Sequence, residues 1–174
     1  HEEQKQKIDE FSVHVIIDLY ANALRKAETG FFEDAISRLY RVLELISQYR
    51  LKAYQIDTTN PTIGEYAQAY KGATKELYGF EKEIPLEIGL KDGYILLFIV
   101  GDYIVEGYSL EDLKRMFGVI RARDMSIIAH GLQLAGEKVF SNLNQLAKTF
   151  IKHMCDHQGK DFSLLLNQHT FIKL

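Results

Sequence analysis

Arg123 and His130 stand seven positions apart in the stretch Arg121-Ala-Arg-Asp-Met-Ser-Ile-Ile-Ala-His-Gly131. At about 100° per residue a seven-residue step nearly completes two helical turns, so one helix would point both side chains the same way. The apolar stripe of that helix runs through Met116, Ile120 and Ile127, and Arg123 and His130 take further positions of the same stripe. Arginine is almost never fully buried unless paired. A guanidinium and an imidazole where the pattern asks for leucine imply a cleft, a polar substrate or a second subunit. Arginine offers a planar fork of donors that matches phosphate oxygens, and histidine gives or takes a proton near neutral pH. Together they suit phosphodiester cleavage: the arginine holds charge on the phosphorus oxygens, and the histidine protonates the leaving oxygen or activates the attacking one. Gly131 reads as a helix stop, which sets His130 at the negative end of the helix dipole, a place that suits a general acid. Asp124 is placed to orient a neighbouring arginine or the histidine. The competing structural reading is a salt bridge plus a capping histidine. The apolar surroundings, Asp124 and Gly131 weigh against it.

An Arg, a polar residue, several further positions and a His on a late helix of an all-helical chain resemble the HEPN ribonuclease motif. The wording Arg-Asp-Met-Ser-Ile-Ile-Ala-His-Gly is similar to one branch, the C-terminal domain of the CRISPR-associated CARF–HEPN ribonucleases of type III systems. A second block carries the same likeness, Phe32-Glu-Asp-Ala-Ile-Ser-Arg-Leu-Tyr-Arg-Val-Leu-Glu-Leu-Ile-Ser-Gln-Tyr-Arg-Leu51, followed by Ile56-Asp-Thr-Thr-Asn60. The resemblance implies a metal-independent endoribonuclease, without a cofactor, that cuts single-stranded RNA as a homodimer. Two Arg/His motifs would face each other across the interface, and the RNA 2′-hydroxyl would be the attacking group. Members of this branch also carry an N-terminal CARF domain that binds a cyclic oligoadenylate. No βαβ alternation and no Gly-rich phosphate loop stand in these residues, so the chain reads as a single HEPN-like domain over 1–174, either excised from a larger protein or a stand-alone relative.

The elements that must position the motif follow from the hydrophobic period. The length of 174 residues allows one domain with a sizeable core, and 47% hydrophobic with 26% charged residues is ordinary for a globular chain. Ile8, Phe11, Val15, Leu19 and Ala23 predict a first long helix ending near Thr29-Gly30, and Phe32, Ala35, Ile36, Leu39, Leu43 and Ile46 a second to about Leu51. Residues 52–92 read as an irregular insertion, with Asp57-Thr-Thr-Asn-Pro-Thr62 a turn cluster and Glu65–Leu77 a candidate short helix. Tyr94–Val105 is apolar on nearly every face and reads as a central helix. Ser109 with Asp112 predicts an N-cap for a short helix, Leu110 to about Phe117, which Gly118 would break from a motif helix, Val119–His130. Val139, Leu143, Leu146, Phe150 and Met154 mark a last long helix, and the tail from Phe162 is expected to be extended. The expected fold is an all-α bundle of about five helices.

Charge and minor motifs narrow the function classes. A formal net charge of −3 argues against broad electrostatic binding of nucleic acid but leaves room for a local phosphate site. Lys114, Arg115, Arg121 and Lys138 cluster near the motif, and the first three are the candidate RNA contacts; a solvated helix face competes with that role. The single cysteine, Cys155, rules out an internal disulfide and is compatible with a reducing cytoplasm, the expected location. No apolar run approaches the ~18 residues of a membrane span. His153 and His157 share the i, i+4 spacing of zinc ligands, but no third ligand accompanies them and a solvated helix end is the better reading. Three readings remain: an endoribonuclease, a catalytically silent helical module that dimerises or binds a partner or nucleotide, and a repeat-type scaffold built on the first helical hairpin.

Overall fold

In a computed structural model of the chain, the backbone is described for residues 2–128 and 133–170, and within these the side chains of residues 13–122 and 136–170. The chain forms α1 (Glu2–Glu28), α2 (Phe32–Lys52), α3 (Ala67–Tyr78), α4 (Leu90–Val100), α5 (Leu110–Ile128), α6 (Gln133–His157) and α7 (Phe162–Thr170), with 3-10 turns at Gly64–Tyr66 and Tyr103–Val105. No strand occurs among the described residues. The all-α class is as expected, with seven helices among the described residues instead of about five. Within 52–92, α3 is helical and much of the remainder is irregular.

Two expectations are overturned. The tail is helical over Phe162–Thr170, not extended, and its last four residues lie outside the described ones: the Asp161 carboxylate accepts from the Leu164 backbone N–H at 2.8 Å, and the Asp161 carbonyl from that of Leu165 at 3.1 Å, which together start α7. Gly118 does not break the motif helix, because α5 runs unbroken from Leu110 to Ile128. A mid-helix glycine costs only about 0.5–1 kcal/mol relative to alanine. The buried stripe Leu113, Met116, Phe117 and Ile120 supplies more than that, since each fully buried apolar side chain is worth roughly 1.5–3 kcal/mol.

The chain divides into two compact units, His1–Val42 with Ile120–Leu174, and Leu43–Val119. In the first, α1 packs on α6 and on α7. Its core holds Ile16, Ile17 and Tyr20 of α1, Ile36 and Leu39 of α2, and Leu143, Phe150 and Ile151 of α6. The Tyr20 hydroxyl donates to Asn144 of α6 at 2.7 Å, so a buried phenol is satisfied across helices, and burial pushes its pKa up to about 12. α1 ends where Gly30 takes φ +81°, a left-handed conformation open to glycine at no Cβ cost. The Phe31 and Gly30 N–H groups then reach back to Lys26 and Ala27 carbonyls, both at 2.9 Å.

In the second unit, α4 packs on α3, and Tyr70, Tyr94, Ile95 and Leu97 are fully buried. A Cβ at Gly93 would lie 2.9 Å from the Ser47 hydroxyl oxygen, so only glycine allows α4 this close to α2. α4 ends at Gly101, φ +71°. The next residue, Asp102, is fully buried and joins three elements. Its Oδ1 accepts the Ile104 N–H at 2.9 Å, and its Oδ2 takes Arg50 Nε at 2.9 Å and Nη2 at 2.7 Å.

Candidate active site

α5 carries the motif, and its first turn fixes where it starts. Ser109 and Asp112 form a reciprocal cap: the Ser109 N–H and hydroxyl donate to the Asp112 carboxylate at 2.9 and 2.7 Å, and the Asp112 N–H returns to the Ser109 hydroxyl at 3.2 Å. The Ser109 backbone and hydroxyl donors hold the Asp112 carboxyl below its ordinary value. From this start the helix turns Leu113, Met116, Phe117 and Ile120 inward, while Lys114, Arg115, Gly118 and Arg121 are exposed.

The candidate residues fall as follows. Arg123 and Asp124 lie on α5, little more than one turn before Ile128; their side chains are outside the described residues. His130 and Gly131 lie outside the described residues altogether. Arg121 is at the exposed edge of α5, and Lys138 is exposed on α6. Arg115 is shared with Asp112 at 3.3 Å, an exposed i, i+3 pair of the kind that contributes little to stability. The helical step separates these groups. Position 123 is about 180° around the helix from Lys114 and about 160° from Arg121, whereas Lys114 and Arg121, seven apart, share a side.

His153 and His157 frame Cys155 on α6; the thiol is buried and burial raises its pKa to about 11. Among the described residues, no group of three His, Cys, Asp or Glu is placed to hold a metal ion. No helix there is long and apolar enough to cross a membrane.

Sequence reasoning did not find three polar joints. Arg50 and Asp102 are 52 residues apart, with the guanidinium 4.4 Å above the Tyr103 ring. Tyr70 donates to Asp92 at 2.7 Å, beside Lys82 at 3.0 Å. His14, His169 and Asp18 form a row in which His14 Nδ1 is 3.4 Å from His169 Nε2, and His169 Nδ1 is 3.4 Å from Asp18. None of these pairs is local, so no sequence spacing signals them.

The described residues are all-helical, and the sequence sets Arg123 and His130 seven positions apart, a combination that resembles the HEPN class. The family model described as the Csm6 HEPN domain matches residues 4–154, and the chain belongs to that family. The chain is also 29% identical over 119 residues to the CRISPR system endoribonuclease Csm6 of Thermus thermophilus. That alignment covers 66% of this chain and 26% of the relative, so the chain spans about a quarter of the relative's length. Both motif blocks fall inside the family match, and α7 lies beyond it.

Proposed function

We propose that this chain is a metal-independent endoribonuclease domain that cuts single-stranded RNA by attack of the 2′-hydroxyl, as the effector of a CRISPR-linked antiviral response. The family match over residues 4–154, which contains Arg123 and His130, carries this reading. The likeness to the Thermus relative, a CRISPR system endoribonuclease, supports it. Arg123 holds the charge that develops on the phosphorus oxygens, and His130 transfers the proton at the attacking or leaving oxygen. Asp124 orients one of them. The arginine supplies the cation that a divalent metal would otherwise provide, so the chemistry requires none.

One arginine and one histidine make a sparse site. A homodimer that sets two copies face to face doubles the donors around one phosphate. Lys114, Arg115 and Arg121 hold RNA away from the cut. In a full-length protein, a CARF domain binding a cyclic oligoadenylate would control the site, and the cytoplasm is its place of action.

The test is cleavage of single-stranded RNA by the purified chain. Arg123→Ala and His130→Ala are each expected to lower the rate by about a hundredfold or more, the size of losing a transition-state donor or an acid/base group. EDTA should leave cleavage intact, and a 2′-deoxy at the scissile position should abolish it. Variants that cleave as well as the parent chain would make this a silent helical module.

A further inference from the structure

We infer that α7 is a proton-operated cover on α1: it stays docked while His14 and His169 share at most one positive charge, and it is released when both are charged. The device is independent of the ribonuclease reading. α7 is nine residues long, and none of them is buried. A helix that short is marginal in water by itself, so it persists through whatever docks it. The docking contacts are few. Phe162 meets the Tyr20 ring, Leu165 and Leu166 are half-buried, and Arg25 Nη1 donates to the His169 carbonyl at 3.1 Å. The rest is the row Asp18–His169–His14, so the protonation of two rings weighs heavily on one small helix.

Both ring nitrogens of His169 are engaged: Nδ1 lies 3.4 Å from Asp18 Oδ1, and Nε2 lies 3.4 Å from His14 Nδ1. With both rings neutral, one hydrogen fills each gap. His14 Nδ1–H donates to His169 Nε2, and His169 Nδ1–H donates to Asp18. One added proton improves the row. A cationic His169 donates from both nitrogens, to Asp18 and to a His14 that presents a lone pair. Its charge is matched by the carboxylate and by the negative end of α7, in whose last turn it lies. A second proton reverses this. An N–H then faces an N–H at the His14–His169 contact, one carboxylate faces two imidazoliums, and Arg25 adds a third positive charge. α6 also packs on α7, but among the described residues no α6 side chain bonds or ion-pairs with either ring. Imidazole changes charge between about pH 5 and 8. The docked state binds the first proton more tightly and the released state the second, so acidification first strengthens docking and then undoes it.

Amide exchange of the whole chain, read by mass spectrometry from about pH 8 to about pH 5 and corrected for the intrinsic pH dependence of exchange, tests the device. Protection of residues 162–170 should rise and then fall by about tenfold, the size of one unfavourable charge contact at a half-exposed site. The Ile36–Leu39 stretch of α2, in the core of the same unit, should keep its protection throughout. His14→Gln and His169→Gln each keep a hydrogen-bonding side chain but leave one chargeable ring. In either variant that docks α7 at the alkaline end, the fall in acid should be gone. Asp18→Asn removes the carboxylate that matches the first proton, so the initial rise should disappear. Protection of 162–170 that stays flat across the range in the parent chain would overturn the device. So would a fall of the same size in either glutamine variant, or a fall in α2 that keeps step with α7. Loss of docking at every pH in both glutamine variants would make the row plain structural glue and overturn it as well. None of these measurements uses RNA, so neither outcome bears on cleavage.

Discussion

The Arg50–Asp102 pair of one compact unit and the Asp18–His169–His14 row of the other are both long-range polar joints, built on opposite terms. Asp102 is fully buried, and both its oxygens are used by three donors. Burial opposes the charge on Arg50, but the hydrogen bond and charge of Asp102 outweigh it and raise the arginine's pKa. The joint in the other unit is looser. Its separations are 3.4 Å, Asp18 is more than half exposed, and imidazoles occupy two of its three places. An Arg25–His169 carbonyl bond at 3.1 Å and the Tyr20–Phe162 ring contact also hold α7. A charge pair with one member fully buried and the other partly so depends on both, because losing one strands the other. A half-exposed row with parallel contacts loses only its own share.

The largest effect should come from Asp102→Ala, which strips the partly buried Arg50 of its carboxylate and leaves the Ile104 N–H without its acceptor: about 3 kcal/mol lost in urea unfolding. A loss under about 1 kcal/mol would erase the contrast with the histidine row. Next in size is Gly93→Ala, which pushes a methyl group to 2.9 Å from the Ser47 oxygen and should cost about 1–3 kcal/mol as overpacking. Pairing it with Ser47→Ala should recover part of that cost. His169→Ala should cost about 1 kcal/mol, an ordinary hydrogen-bond contribution, and raise amide exchange in α7 before the rest of the first unit. Exchange rising equally throughout would show that α7 opens with the whole unit.

The smallest is Ser109→Ala, about 1 kcal/mol from the lost cap of α5, seen as a lower melting temperature. It carries a pH signature. The Asp112 carboxyl is held below its ordinary value by Ser109, so its contribution is present above the unfolded carboxylate range and is lost as pH falls through the folded value. The gap between parent and Ser109→Ala should narrow in acid, because the hydroxyl–carboxylate bond is lost while the Asp112 N–H bond to the Ser109 hydroxyl is not, and a gap constant down to pH 2 would contradict the pairing.

Much of the fold was legible because it is written in local terms. The period of Phe32, Ile36, Leu39, Leu43 and Ile46 places α2, and the Ser109/Asp112 signature places the start of α5. The two misreadings also have local causes. Gly118 was weighed as a helix breaker without the buried stripe that overrides it, and Asp161, an available N-cap, was passed over ahead of an apolar tail. The candidate site was legible as spacing: Arg123 stands on α5, and His130 follows it by seven positions in the sequence. What surrounds those side chains was not, because partners such as Arg50 and Asp102 are brought together by tertiary packing alone.

Cys155 is the only thiol in the chain and is fully buried on α6, with burial raising its pKa to about 11. Its sulfur is therefore sealed from solvent and, near neutral pH, almost wholly in the unreactive protonated form. Labelling by a thiol reagent can proceed only when the surroundings of α6 open, so its rate is an internal clock for the breathing of that unit, read from one atom without adding a probe.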